Sequence, residues 1–104
     1  MYKIYRTETF EKEFSKLSKS EQISIKNFEE KLVENPYFGK PLGYTFLREK
    51  KINNKRAYYL IYKNFIIVLM IAISDKKAQQ ATIDKIKNHL NDYYEFVKET
   101  LSKS

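Results

Sequence analysis

From its second residue the chain sets aromatic or apolar side chains against basic ones: Tyr2 to Arg6 (YKIYR) alternates and predicts a short strand. The period then changes. Phe10, Phe14 and Leu17 recur at helical spacing, with Thr7 or Thr9 available as N-cap and Glu8, Glu11 and Glu13 near the positive end of the helix dipole. Ser18 followed by Glu21 fits a capping box and starts a second helix, whose apolar stripe is Ile25, Phe28, Leu32 and Val33 and which ends at Asn35-Pro36. The short break between the two predicts a helical hairpin. Both prolines and both glycines of the chain fall in PYFGKPLG, residues 36 to 43, which is therefore the main connection.

Tyr44 to Ile52 and Arg56 to Lys63 alternate again, with Asn53-Asn54 between them as a hairpin turn. Lys63-Asn64 turns the chain into Phe65 to Ile73 (FIIVLMIAI), apolar on both faces and hence the central strand, covered on at least one side by helices. From about Asp75 onward, Ile83, Ile86, Leu90, Tyr93 or Tyr94, Val97 and Leu101 step by three and four, predicting one long terminal helix. The expected fold class is α+β: a short N-terminal strand, a helical hairpin, a three-stranded antiparallel meander completing one sheet, and a long C-terminal helix. Residues 1–104 are expected to form a single domain.

Composition narrows the chemistry. The chain has 104 residues, 42% of them hydrophobic, with 9 Tyr and 7 Phe, so it has a core to build and is not a disordered tail. Cysteine is absent, which removes disulfides, thiolate metal sites and cysteine nucleophiles. With no leader-like pattern in Tyr2 to Phe14, the expected location is the cytoplasm. The longest apolar run, Phe65 to Ile73, falls far short of the roughly 20 residues a membrane helix needs.

The net charge of +7 is unevenly held. Residues 1–37 carry seven basic and seven acidic side chains and residues 78–104 four of each, while residues 38–77 carry nine basic and two acidic ones. A basic middle between balanced ends suits a polyanion such as nucleic acid; the alternative is a solvated lysine-rich surface. Within the middle segment, alternation sends Arg48 and Lys50 to one face of their strand and Leu47, Glu49 and Lys51 to the other. Lys55 and Arg56 follow the turn, and Lys76 and Lys77 stand at the far end of the central strand. The expectation is that Arg48, Lys50, Arg56 and Lys76 converge in one groove around an anion, flanked by Lys51, Lys55 and Lys77. The competing reading pairs these cations with Glu49 or with helical glutamates as surface salt bridges. Tyr58, Tyr59, Tyr62, Tyr93 and Tyr94 are candidates either for base stacking or for the core, and His89 is read as a partly exposed helical residue. No His, Asp or Glu cluster has metal-ligand spacing.

The segments FEKEFSKL, the second helix into ENP, FLREKKI, RAYYLIYK and FIIVLMIAISDKK, in that order, resemble the RelE/ParE-like toxin superfamily, and its archaeal-type RelE branch in particular. The resemblance implies the same order of elements and an mRNA interferase, an endoribonuclease of the ribosomal A site in which a ribose 2′-hydroxyl attacks the adjacent phosphate without metal or other cofactor. It implies that Arg56 and Lys76 stabilise the transition-state phosphate, that Arg48 or Lys50 stands for the family's strand-borne lysines with Lys51 open by register, and that Lys51, Lys55 and Lys77 bind RNA. It also implies an acidic, RelB-like antitoxin as partner. The chain departs from the pattern in carrying Lys76 for a second arginine and Gln79 and Gln80 where many members have tyrosine or histidine. Glu49 is a base of the kind some relatives use, although alternation points it away from Arg48 and Lys50. Two alternatives remain: a ParE-like gyrase inhibitor, and an inactive module that binds RNA or antitoxin.

Overall fold

The structure, a computed structural model, describes residues 1–103. The elements are β1 (Lys3–Arg6), α1 (Glu8–Ser15), α2 (Lys19–Glu34), a 3-10 turn (Pro36–Phe38), β2 (Lys40–Pro41), β3 (Leu47–Ile52), β4 (Lys55–Tyr62), β5 (Ile67–Asp75), α3 (Gln79–Asn88) and α4 (Leu90–Ser102). They form the α+β arrangement that the hydrophobic pattern predicts. The sheet order is β1-β5-β4-β3-β2, with β1 parallel to β5 and the other neighbours antiparallel.

The caps act as the sequence requires. Thr7 caps α1 by accepting from the Phe10 N–H, and its own hydroxyl donates to the Ile71 carbonyl, so one side chain starts the helix and ties it to β5. Ser18 and Glu21 form the reciprocal capping box of α2. Phe10, Ile25, Phe28 and Leu32 then pack with Ala57, Tyr59, Ile61, Val68, Met70 and Ile73 on one face of the sheet. On the other face Leu47, Tyr58, Leu60, Ile67, Leu69 and Ile71 meet Ile83, Ile86 and Val97 of α3 and α4. Both faces are covered, which is why β5 is apolar from Ile67 to Ile73.

Several boundaries differ from expectation, three of them for a visible reason. The strand predicted from Tyr44 begins at Leu47, because residues 44–46 form a turn whose first carbonyl accepts from the Leu47 N–H. β5 begins at Ile67, after Ile66 adopts φ 57 in the tight turn from Lys63. The terminal helix is two helices: at His89 (φ −124, ψ 22) the backbone leaves helical geometry, and its N–H bonds the Ile86 carbonyl three residues back. Among the described residues no helix is long and apolar enough to cross a membrane.

Candidate functional site

The two-residue turn Asn53-Asn54 sets the site's geometry. Asn53 takes φ 55, a left-handed conformation asparagine tolerates, and the turn pairs Ile52 with Lys55. Counting back, Lys51 faces Arg56, and across β4 Arg56 faces Ser74 of β5. The neighbouring row on this face is Lys40, Glu49, Tyr58 and Ala72. Gly39 permits that row: a Cβ there would stand 2.8 Å from the Glu49 carbonyl oxygen and 2.6 Å from the Tyr59 hydroxyl, so only glycine lets the connection bring Lys40 alongside β3.

This face, shared with α3, carries the polar groups that the cores leave over. Arg56 is only 8% exposed, and among the described residues its side chain makes one hydrogen bond, to the Asn54 carbonyl, stretched to 3.5 Å. Glu49 is equally buried and accepts two bonds from the Gln79 side-chain amide, at 3.0 and 3.4 Å. Among the described residues neither Arg56 nor Glu49 makes an ion pair. The Tyr58 hydroxyl and Ser74 Oγ are 2.8 Å apart, and Ser74 also donates to the Asp75 carbonyl. Burial pushes the Tyr58 phenol above its ordinary value, with the Ser74 hydrogen bond pulling the other way, so the phenol stays protonated at neutral pH. Lys76, just past β5, and Lys77, in the following turn, are exposed; Lys51 is exposed beside Arg56.

The expected convergence of Arg48, Lys50, Arg56 and Lys76 does not occur. Arg48 and Lys50 do share a face, but it is the opposite one, because paired residues of adjacent strands point the same way and Arg56 is paired with Lys51. Arg48 donates to the carbonyls of Gly39 (2.7 Å), Thr45 (2.8 Å) and Tyr37 (3.1 Å) and lies 5.0 Å from the Tyr37 ring centroid. It clamps the connection between α2 and β3. Lys50 extends over the Phe28 ring of α2, 5.4 Å from its centroid. Lys55 is directed to the α1 and α2 side, where it lines a recess with Glu13, Lys16 and Asp75. The groups that accompany Arg56 are therefore Lys51, Glu49, Tyr58, Ser74 and Gln79, with Lys40 and Lys76 at the margin. Of these, Lys40, Ser74 and the partnership of Glu49 with Gln79 were not expected; the length of the turn at Asn53-Asn54 is the signal from which the shared face follows.

Of the tyrosines, Tyr59 is a core residue that donates to the Pro36 carbonyl and accepts from the Gly39 N–H. Tyr93 packs on the α3 and α4 core, while Tyr94 stacks on Phe65. His89 is exposed at the helix break, with Nδ1 2.7 Å from the Lys85 carbonyl. Among the described residues no group of three or more His, Asp or Glu could hold a metal ion.

No protein-family model and no curated protein matches the chain by sequence. Solved structures do match. A double-arginine mutant of the E. coli toxin RelE in the free state superimposes with a TM-score of 0.71 at 20% identity, covering 84% of this chain and 96% of that one. RelE in the intact E. coli RelBE toxin-antitoxin complex gives 0.65 at 20% identity, covering 72% and 96%. The archaeal RelE-RelB complex of Pyrococcus horikoshii OT3 gives 0.63 at 14% identity, covering 72% and 94%. The archaeal structures thus fit no better than the bacterial ones, and the expected archaeal branch is not singled out. At these identities the likeness is one of architecture: the chain has a RelE-like fold.

Proposed function

We propose that the protein is the toxin of a type II toxin-antitoxin pair, a single domain over residues 1–104 that cleaves mRNA in the ribosomal A site in the cytoplasm. One observation carries this reading. On a RelE-like fold, Arg56 is buried at the end of the sheet with its guanidinium nearly unbonded, Lys51 is across from it, and among the described residues no carboxylate is ion-paired to either. A structural arginine is bonded to acceptors; one left with free donors beside a second cation is arranged for an anion. A phosphodiester supplies it.

In this reading the ribose 2′-oxygen attacks the adjacent phosphorus and the bond to the 5′-oxygen breaks, leaving a 2′,3′-cyclic phosphate and a free 5′-hydroxyl. Arg56 and Lys51, with Lys76 at the rim, bind the extra negative charge of the pentacoordinate phosphate. Glu49, the carboxylate of the same face, takes the 2′-hydroxyl proton, and a lysine ammonium or water protonates the leaving oxygen. Lys77 and Lys40 extend the positive surface for the strand. The solved neighbours include RelE bound to RelB; for this chain an antitoxin with acidic residues suits a surface whose cations, among the described residues, stand outside any ion pair.

The test is to map mRNA 5′ ends in a translating extract. Codon-phased breaks that disappear with Arg56→Ala and persist with Lys50→Ala are the expected result. Intact mRNA, or gyrase-linked DNA breaks in its place, would refute the nuclease.

A further inference from the structure

Gln79 and Gln80 are neighbours at the start of α3 and use their amides differently. Gln80 donates to Asp84 at 2.9 Å, four residues on in the same helix. Gln79 donates to Glu49 of β3, 30 positions away, with its Nε2 3.0 Å from one carboxylate oxygen and 3.4 Å from the other. The turn into the helix is fixed by other groups: Asp75 accepts from the Ala78 N–H at 2.9 Å, and the Thr82 hydroxyl donates to the Ala78 carbonyl at 2.8 Å. Gln79 instead begins the stripe that continues with Ile83 and Ile86, the buried residues of α3. It therefore meets the sheet with an amide where the two later positions meet it with apolar groups.

The carboxylate it holds stands among cations. Lys40 is paired with Glu49 from β2, and Lys51 follows it by two on β3 and shares its face. Arg56 is its diagonal neighbour on β4, because Glu49 faces Tyr58 and Lys51 faces Arg56. Diagonal neighbours lie roughly 7 to 8 Å apart, within reach of a long side chain. The Tyr58 phenol registers both charges: burial is the main influence on it and the Ser74 hydrogen bond the next, but Glu49 also raises its pKa and Arg56 lowers it. Yet among the described residues Glu49 forms no ion pair with any of the three cations. A carboxylate beside a buried guanidinium ordinarily closes into a fork, as Glu29 does on Arg6 of β1. Here both carboxylate oxygens are turned to one neutral nitrogen on α3.

We infer that Gln79 is a positioning residue: its amide keeps the Glu49 carboxylate on the α3 side of the site and thereby holds Glu49 and Arg56 apart, so that a phosphate can meet the guanidinium. The inference rests on the reading that an RNA phosphate is bound beside Arg56, and it names the group that keeps Arg56 available. A fork between Glu49 and Arg56 would take the donors that the phosphate needs. It would also tie up the carboxylate that takes the 2′-hydroxyl proton, so one closure would remove both functions. An amide suits the task because it is neutral. It satisfies the buried carboxylate by hydrogen bonding and leaves the negative charge in place, whereas a cationic side chain at residue 79 would neutralise it.

The test uses the full chain, with an uncleavable 2′-O-methyl RNA and inorganic phosphate as probes, and reads the Arg56 Nε–H resonance of the free protein. Gln79→Met keeps the length and packing of the side chain and removes the donor; Gln80→Met, which loses only the bond to Asp84, is its control. In Gln79→Met the Arg56 Nε–H should shift and exchange more slowly with water as the guanidinium gains the carboxylate. Both probes should bind about tenfold more weakly, and single-turnover cleavage should fall by about tenfold or more. None of these should change in Gln80→Met. The same Gln79→Met change made on Glu49→Gln should leave the resonance and the affinities where Glu49→Gln alone puts them, since a neutral side chain at residue 49 has no charge to draw to the guanidinium. A residue that only packs α3 on the sheet would act alike in both backgrounds, so equal losses in the two overturn the inference, as does an unmoved Arg56 resonance in Gln79→Met. If Arg56→Ala abolishes cleavage while Gln79→Met leaves resonance and affinities unchanged, the positioning role alone fails. If both respond as expected but the wild-type protein leaves mRNA intact, the positioning role stands and the nuclease falls.

Discussion

Arg6 and Arg56 sit in neighbouring parts of one sheet and are treated in opposite ways. Arg6, at the end of β1, holds Glu29 in a fork at 2.7 and 2.9 Å, reaches Glu11 at 2.7 Å, and lies 4.1 Å from the Phe14 ring centroid. Its hydrogen bond to Glu29 is the largest of several effects raising its pKa, so it stays cationic at any pH at which the protein folds. Arg56, more deeply buried, has one stretched bond to a carbonyl. The same side chain is in one place a strut between β1 and two helices and in the other, among the described residues, a charge outside any ion pair. The first arrangement serves the fold; in the proposed function an RNA phosphate completes the second.

Exchanging the two roles by mutation gives the largest effects. Arg56→Ala should lower cleavage of ribosome-bound mRNA by about a hundredfold or more, the scale of removing one preorganised donor from a transition-state oxyanion. Its midpoint in urea should move little. Arg6→Ala should do the reverse, costing roughly 2 to 3 kcal/mol by stranding the 13%-exposed Glu29 carboxylate while leaving cleavage by the folded fraction unchanged. Denaturation curves and single-turnover cleavage on the same two samples decide the matter; equal losses of stability would erase the contrast.

The second effect compares adjacent lysines. Lys51 shares the face of Arg56 and Lys50 lies over Phe28, so Lys51→Ala should reduce cleavage by about tenfold or more and Lys50→Ala by little. Glu49→Gln sharpens the same contrast within that face: cleavage should fall by roughly 10² or more through loss of the base, while an uncleavable RNA binds at least as tightly. A Lys50 defect larger than that of Lys51 would mean that the reactive phosphate meets the other side of the hairpin.

That pair of lysines also shows what the sequence discloses. Caps and stripes were legible because each depends on residues a few positions apart: Ser18 with Glu21, or Phe10 with Phe14. Alternation along β3 likewise separates Arg48 and Lys50 from Glu49 and Lys51. Which of those sets faces Arg56 depends on strand pairing, and a one-residue change in the turn would reverse the answer. The groove of four cations failed at that step. The pairing of Lys40 with Glu49 was hidden for another reason: β2 has two residues and no alternation to detect. The break at His89 left no mark because one non-helical residue, without proline or glycine, still lets apolar positions step by three and four on either side.

The smallest effect tests how the turn that fixes this pairing is held. Glu21 accepts from the Ser18 N–H in the capping box and from the Asn53 side chain at 3.4 Å, joining the start of α2 to the β3–β4 turn. The Ser18 backbone bond is the main cause holding its carboxyl below the ordinary glutamate range, opposed by desolvation and helped by Asn53 and by the charge of Lys55. A carboxyl whose pKa is depressed in the fold stabilises it fully above the unfolded value and loses that contribution as pH falls through the folded one. Stability should therefore decline on acidification below the usual glutamate range, and Glu21→Gln should flatten that part of the curve. Ser18→Ala should cost about 1 kcal/mol at neutral pH by removing the cap. If the turn keeps its pairing through the box, both substitutions should also broaden the amide resonances of Asn53 and Asn54; sharp, unshifted turn resonances in both variants would show that Asn53 holds its left-handed conformation without help from α2.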